Sequence, residues 1–372
     1  MKAVFLAPNL NVGGFERQWS VLVPGLVDRG LSAEVLTLDG TGRFFDELGS
    51  RGVPVRYLDV HGSWNILGAM RASRAVAEQA PDVIVTAGTS AHVVGQLASL
   101  RSRAPHVAAV HSIPEHADSF TRRRRAIVRR VAPHVAASTA VTTAQLEFLG
   151  SLGFDRKRMH VIPNGVAPPT VVRRVNEVRA ELGVAADAFV AVLIASLRRE
   201  KRVERFLESV VAAERVSPRI RGFVVGAGPE LERIGSLCVA TDVVRALGPR
   251  HDTQDLIAAA DVVCLTSDAE ALPLVILEAM AGARPVVTTD VGGVRDAVVH
   301  GETGFVLPVG DIRAFTETLT RLSSDPALGA RLGAAGLARQ RRLFTLERMV
   351  DAHYALFHEL RHSAAPAAEA RR

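Results

Sequence analysis

The chain is poor in what several protein classes depend on. Only two of its 372 residues are cysteine, Cys238 and Cys264. Each lies in an apolar stretch, so both read as small buried side chains, and a disulfide scaffold is excluded. No Cys/His group has zinc-ligand spacing. No apolar run reaches the roughly 18 residues of a membrane-spanning helix. The opening segment from Met1 to Pro8 has too short an apolar core for a secretory signal and reads as a first buried strand. Aromatic residues make up 5% of the chain and are not interleaved with its arginines, which argues against a stacking surface for nucleic acid. These absences point to a reducing, cytoplasmic protein with no metal centre.

What is present is a folded composition, 48% hydrophobic and 23% charged, with a formal net charge of +6. A basic surplus suits partners that carry phosphate. It is densest at Arg122–Arg125, followed by Arg129 and Arg130, a run that fits peripheral contact with the inner face of an anionic membrane as well as it fits a solvated helix face.

Short apolar runs alternate with amphipathic stretches through both halves. Strands are expected at Val4–Ala7, Glu34–Leu38, Val53–Leu58, Val83–Thr86, Val107–Val110, Val135–Ser138 and His160–Ile162. Helices between them include Phe15–Asp28, which Pro24 should kink or shorten, and Ala69–Gln79, Ala91–Leu100 and Ala144–Ser151. The pattern stops at the Pro163–Pro169 segment and restarts with strands Phe189–Ala195, Gly222–Val225, Val243–Leu247, Val262–Thr266 and Val286–Thr288. Helices Val203–Glu214, Glu230–Val239 and Pro273–Ala281 alternate with these. The fold class is therefore α/β: two Rossmann-like, doubly wound parallel-sheet domains facing a cleft. The expected division is residues 1–168, a linker at 169–186, and 187–345. A helix at 346–362 packs back toward the first domain, and 363–372 forms a loose tail.

The most informative segment runs from Ser267 to Gly282. Pro273 fits a first helical position, leaving the amides of Leu274 and Val275 unpaired at a helix N-terminus, where an anion binds. Glu270 precedes this helix and Glu278 lies eight positions later. One carboxylate can take a sugar hydroxyl and the other ribose hydroxyls. Alone, the pair reads equally well as a capping acid and a solvated acid. His61, His92 and His251 have no evident partners and receive no role.

The spacing of Glu270 and Glu278, followed by Ala-Met-Ala-Gly-Ala-Arg-Pro-Val-Val-Thr-Thr-Asp-Val-Gly-Gly, resembles the signature of retaining glycosyltransferases of family 4, which have the GT-B fold. Asn11-Val-Gly13-Gly14, Val161-Ile-Pro-Asn-Gly-Val166, Gly226-Ala-Gly228-Pro-Glu230 and Gly301–Pro308 match the same family in order. The resemblance implies a metal-independent enzyme without cofactor, moving a sugar from a UDP- or GDP-linked donor to an acceptor glycan, lipid or small molecule. It implies that Glu278 binds ribose, that Leu274 and Val275 bind the diphosphate, and that Glu270 meets the donor sugar. Lys201 would neutralise the leaving diphosphate, and His111 would lie near the transferred sugar. Gly13 and Gly14 would approach phosphate or acceptor, Gly228 would belong to the donor site, and Gly248 and Arg250 would pack the base. Where the family carries glycine and arginine this chain has Ala195 and Ser196, with Arg198 two positions on as the replacement charge. The family aspartate after Pro-Asn-Gly-Val is Ala167 here. No Asp-X-Asp occurs to hold a metal–diphosphate complex. A non-hydrolysing nucleotide-sugar epimerase and a catalytically silent sugar-nucleotide binder share this architecture.

Overall fold

A computed structural model describes residues 1–11, 13–60, 65–111 and 122–369; His61 lies outside them. The chain forms two compact units, residues 1–165 with 346 onward, and 166–345.

The first unit begins β1 (Lys2–Ala7), α1 (Gly14–Asp28), β2 (Ser32–Thr37), α2 (Arg43–Ser50), β3 (Val55–Tyr57) and α3 (Ile66–Ala77). It continues β4 (Val83–Ala87), α4 (Thr89–Ser102), β5 (His106–Val110), α5 (Arg122–Val131), β6 (Ala137–Ala140), α6 (Ala144–Ser151) and β7 (Met159–Val161). All seven strands are parallel, in the order β3-β2-β1-β4-β5-β6-β7. The order reverses between β1 and β4, which pair with Phe5 opposite Val85.

The second unit runs α7 (Val175–Glu181), β8 (Phe189–Ile194), α8 (Val203–Glu214), β9 (Ile220–Val225), α9 (Leu231–Val239), β10 (Val244–Gly248) and α10 (Thr253–Ala259). Then follow β11 (Val262–Leu265), α11 (Leu274–Ala281), β12 (Val286–Thr289), α12 (Val294–Ala297), β13 (Gly304–Leu307), α13 (Ile312–Ser324) and α14 (Pro326–Leu343). Its parallel sheet has the order β10-β9-β8-β11-β12-β13 and reverses between β8 and β11. The chain then returns to the first unit as α15 (Leu346–Glu369).

Both sheets are apolar on both faces because helices cover both. In β8, Phe189, Ala191 and Leu193 join one core with Phe206, Val210 and Leu319, while Val190 and Val192 are buried behind them. In the first unit, α15 supplies Met349, Val350, Leu356 and Phe357 to the core around Phe5 and Trp19. Cys238 and Cys264 are both buried and unpaired.

Several local expectations are corrected. Pro24 neither ends nor divides α1. The carbonyl of Ser20, which loses its helical donor to the proline ring, accepts instead from Arg51 Nη1 at 2.8 Å. Pro273 is the N-cap of α11, with ψ 126°, and Leu274 is the first helical residue. The expected linker holds α7, docked where Val172 N–H donates to Asp255 at 2.8 Å and Thr170 N–H donates to Gln254 at 2.6 Å. The expected tail continues α15 as far as Glu369, because its alanines favour helix. The strand expected at Val135–Ser138 starts two residues later, since Ala132–His134 makes a 3-10 turn.

Candidate functional site

In the second unit, the loops after β8 and β11 leave the carboxyl edge on either side of the strand-order reversal, where open α/β sheets bind ligands. The first loop is pinned to its neighbour after β9. Leu197 N–H donates to Ala227 O at 2.8 Å, and Glu230 N–H donates to Leu197 O at 3.0 Å. Glycine is required for this approach. A Cβ on Gly226 would fall 1.8 Å from Ala195 O, and one on Gly228 would fall 2.4 Å from Leu197 O.

The β8 loop then turns through Arg199–Lys201 and a left-handed Arg202 (φ 47°) into α8. The β11 loop holds that turn. Thr266 Oγ1 donates to Arg202 O at 2.9 Å, and Asp268 N–H donates to Glu200 O at 2.7 Å. The Asp268 carboxylate takes Arg202 and Arg205 together; burial alone would raise its pKa, but the hydrogen bonds and charges of the two arginines together outweigh it and hold the pKa below the usual carboxylate range.

This clamp brings Lys201 and Glu270 together. Lys201 Nζ lies 2.7 Å from Glu270 Oε1, with side-chain exposures of 16% and 8%. Ser267 Oγ donates to the same oxygen at 2.6 Å. The Ser267 carbonyl accepts from Thr289 Oγ1 at 2.6 Å, and Gly293 N–H donates to Ala271 O at 3.0 Å. The Thr289–Gly293 segment thus supports the Glu270 loop.

Directly after that loop, α11 opens with the amides of Leu274 and Val275, which precede the first i→i−4 acceptors. One turn on, Glu278 is 9% exposed on the wall of a cavity of about 310 Å³ within this unit. Pro169, Gln254, Ile257, Ala281 and Arg284 also line it. Ala167 lies on the same wall.

The other residues expected at the donor site have these surroundings. Gly248 O accepts from Gly226 N–H at 2.9 Å, so this glycine joins the β9 loop. Arg250 is held by Asp252, at 2.8 and 2.6 Å, and by Glu181 at 2.8 Å. These hydrogen bonds raise its pKa above the usual arginine value. The structure therefore shows Arg250 in an ion-pair network with Arg173. Arg198 and Ser196 are exposed, without side-chain hydrogen bonds among the described residues.

In the first unit, His111 follows β5 with its ring centroid 5.9 Å from that of Phe15. Both its ring nitrogens are shielded from solvent and lack a hydrogen-bond partner among the described residues. Burial, with a smaller contribution from His353, pushes its pKa down to about 3, so the ring is neutral. Gly13 caps α1 in extended conformation, and a Cβ there would meet Glu16 Oε2 at 2.2 Å; Gly14 faces open space. Gln145 holds this corner, donating to Val110 O at 3.3 Å and accepting from Val141 N–H at 2.8 Å.

Sequence reasoning missed Ser267, Asp268, Thr289 and Gln145. Ser267 and Asp268 stand inside the motif that was read for its glutamates, and their proximity to Glu270 was the available signal. Thr289 and Gln145 act through contacts distant in sequence and left none.

Among the described residues, no three His, Cys, Asp or Glu side chains are grouped to hold a metal ion, and no helix is long and apolar enough to cross a membrane.

Two family models match the chain. One, described as glycosyl transferases group 1, matches residues 188–325, and the other, a glycosyl transferase 4-like domain, matches residues 13–165. The chain is 27% identical over 228 residues to N-acetyl-alpha-D-glucosaminyl L-malate synthase of Bacillus anthracis, covering 60% of this chain and 59% of that one. It is 27% identical over 349 residues to the lipopolysaccharide core biosynthesis glycosyltransferase LpsE of Rhizobium meliloti, covering 92% and 95%. Several other curated relatives are matched over less than two thirds of their length. Among solved structures, Anabaena Alr3699/HepE in complex with UDP superposes with a TM-score of 0.86 at 24% identity, covering 96% of this chain and all of that one. Sucrose-phosphate synthase from Thermosynechococcus elongatus superposes with a TM-score of 0.82 at 20% identity, covering 98% and 100%.

Proposed function

Because the chain belongs to the group 1 glycosyl transferases, with the two Rossmann-like units of the GT-B type, we propose that it is a cytoplasmic, retaining hexosyltransferase that uses a nucleotide-diphosphate sugar and no metal. The observation that carries this reading is the Lys201–Glu270 pair, presented from the two loops that flank the β8/β11 reversal, immediately before α11.

The donor's diphosphate lies at the Leu274 and Val275 amides, and its ribose reaches Glu278 at the mouth of the 310 Å³ cavity. Cleavage of the sugar–phosphate bond places negative charge on the departing diphosphate. Lys201 stabilises that charge most in the transition state. Glu270 then faces the sugar hydroxyls. The acceptor hydroxyl attacks from the face that the diphosphate leaves, giving its proton to the departing phosphate oxygen, and the anomeric configuration is retained. His111, neutral and with both nitrogens unpaired, receives the sugar in the first unit. Arg198 adds charge beside Lys201.

The UDP seen in the Anabaena structure favours a uridine donor. The acceptor is a glycan, a lipid or a small molecule, and Arg122–Arg130 of α5 holds the enzyme against anionic lipid. Thermal unfolding with UDP, GDP and ADP, each with and without Mg²⁺, tests the donor site. One nucleoside diphosphate should raise the midpoint without Mg²⁺, and Glu278→Ala should remove the rise. No rise with any of them would overturn the proposal.

A further inference from the structure

The chain is nearly without lysine. Of its 45 lysines and arginines, only Lys2, Lys157 and Lys201 are lysine. Lys201 is the one lysine of the second unit, residues 166–345. Elsewhere that unit uses arginine, whose planar fork spreads its charge; here it has a compact ammonium on a flexible stem. Such a stem is aimed by its backbone, and the backbone at Lys201 is fixed in an uncommon way.

Arg202, the next residue, has φ 47° and ψ 46°. In that left-handed conformation an L side chain crowds the carbonyl that follows it, a cost glycine does not carry. The Arg202 side chain is 43% exposed, so burial does not hold it there. Ion pairs do. Arg202 Nε donates to Asp268 Oδ2, Arg205 Nη1 donates to Asp268 Oδ1, and Arg202 Nη1 lies 3.5 Å from Glu204. On the backbone, Thr266 Oγ1 lies 2.9 Å from Arg202 O and 3.2 Å from Lys201 O.

Two side-chain pairs therefore join the loop after β8 to the loop after β11. Lys201 reaches Glu270, and its neighbour Arg202 reaches Asp268, two positions before Glu270. A bound donor treats the pairs differently. Its diphosphate draws the Lys201 ammonium to itself, so the first pair cannot hold the loops in register while it serves the donor. The second pair, shared with Arg205 of α8, is left intact.

We propose that Arg202 and Asp268 are positioning residues: their ion pair holds the left-handed turn that aims Lys201 at the donor's phosphates, and so sets a preference for a nucleoside diphosphate over a monophosphate. The inference rests on the donor site proposed above and adds to it two residues that touch no substrate.

Calorimetric titration with UDP and with UMP tests the preference. Acetylation of the folded chain by acetic anhydride, read by mass spectrometry with Lys2 and Lys157 as internal references, tests the positioning without any nucleotide. Asp268→Ala keeps the backbone bond to Glu200 O and removes the tether. It should bind UDP about tenfold more weakly, the worth of one charged hydrogen bond, with its UMP affinity little changed, and it should acetylate faster at Lys201 alone. Adding Arg202→Gly should restore both properties, because glycine holds φ 47° untethered. Arg202→Ala alone should behave as Asp268→Ala does. Equal losses for UDP and UMP, unchanged labelling of Lys201, or no rescue by glycine would overturn the proposal. Failure of the parent chain to bind either nucleotide would instead count against the donor site, and the labelling would still decide the positioning.

Discussion

Arg51 Nη1 donates to the carbonyl of Ser20 at 2.8 Å, the acceptor that Pro24 leaves without its helical amide. A residue following α2 thereby repairs a break inside α1. Arg51→Ala should destabilise the first unit by about 1–2 kcal/mol, the cost of an orphaned carbonyl. In a Pro24→Ala background the restored amide satisfies Ser20, so the same substitution should cost clearly less. Trp19 is buried in the core of the first unit, so its fluorescence during urea unfolding reads this pair of effects.

Three buried histidines and the shielded ring of His111 should make the first unit acid-sensitive. Burial lowers His92 and His353 to about 4, and His106 and His111 to about 3, from an ordinary 6.5. Thr86 Oγ1 lies 2.7 Å from both His92 Nδ1 and His106 Nε2, while His106 Nδ1 lies 3.0 Å from Gln96 Oε1. Gln96 Oε1 can only accept, so His106 carries its proton on Nδ1, Thr86 donates to His106, and His92 donates to Thr86. Each folded pKa lies below the unfolded one. Their contribution is therefore complete above about pH 6.5 and is lost as pH falls from there toward 4 and 3. Tryptophan-monitored stability should decline over that window, and His106→Gln should make the decline shallower.

Lys201→Ala should lower the transfer rate by roughly 10²–10³-fold if the lysine stabilises the leaving diphosphate. His111→Ala should abolish transfer yet preserve the thermal shift given by the nucleoside diphosphate, since His111 belongs to the other unit. Loss of that shift in His111→Ala would place the histidine in donor binding instead.

Gly228→Ala would set a Cβ 2.4 Å from the Leu197 carbonyl and displace the loop that leads to Lys201. Gly333→Ala would set one 2.1 Å from the Ala283 carbonyl, where α14 crosses the turn after α11. Both should destabilise the second unit, by about 1–3 kcal/mol. Only Gly228→Ala should weaken nucleoside diphosphate binding more than its stability loss explains, as titration at a temperature well below unfolding would show. Neither should alter the tryptophan transition.

Both sheets were legible because their strands are buried on two faces and read as continuous apolar runs, as in Phe189–Ile194. What escaped depends on partners far along the chain. The rescue of Pro24 by Arg51 has no local mark. Whether Pro273 caps or enters α11 depends on a single ψ angle. The motif Glu270 to Glu278 spans a loop and helix that read from the sequence alone, yet the direct pairing of Glu270 with Lys201 spans 69 positions and belongs to no pattern. The resemblance that places Arg250 by the base says nothing of its ion pairs with Asp252 and Glu181, a network that only the fold assembles.

The chain leaves its first sheet at Gly165 and returns to it only at Leu346. On the ribosome this order has a cost. Phe5, Trp19 and their neighbours emerge early, but Met349, Val350, Leu356 and Phe357, which cover them, are synthesised last. The middle unit has every residue it needs before the outer one does. The nascent first sheet must wait through some 180 residues with one greasy flank uncovered, the interval in which a chaperone has something to hold.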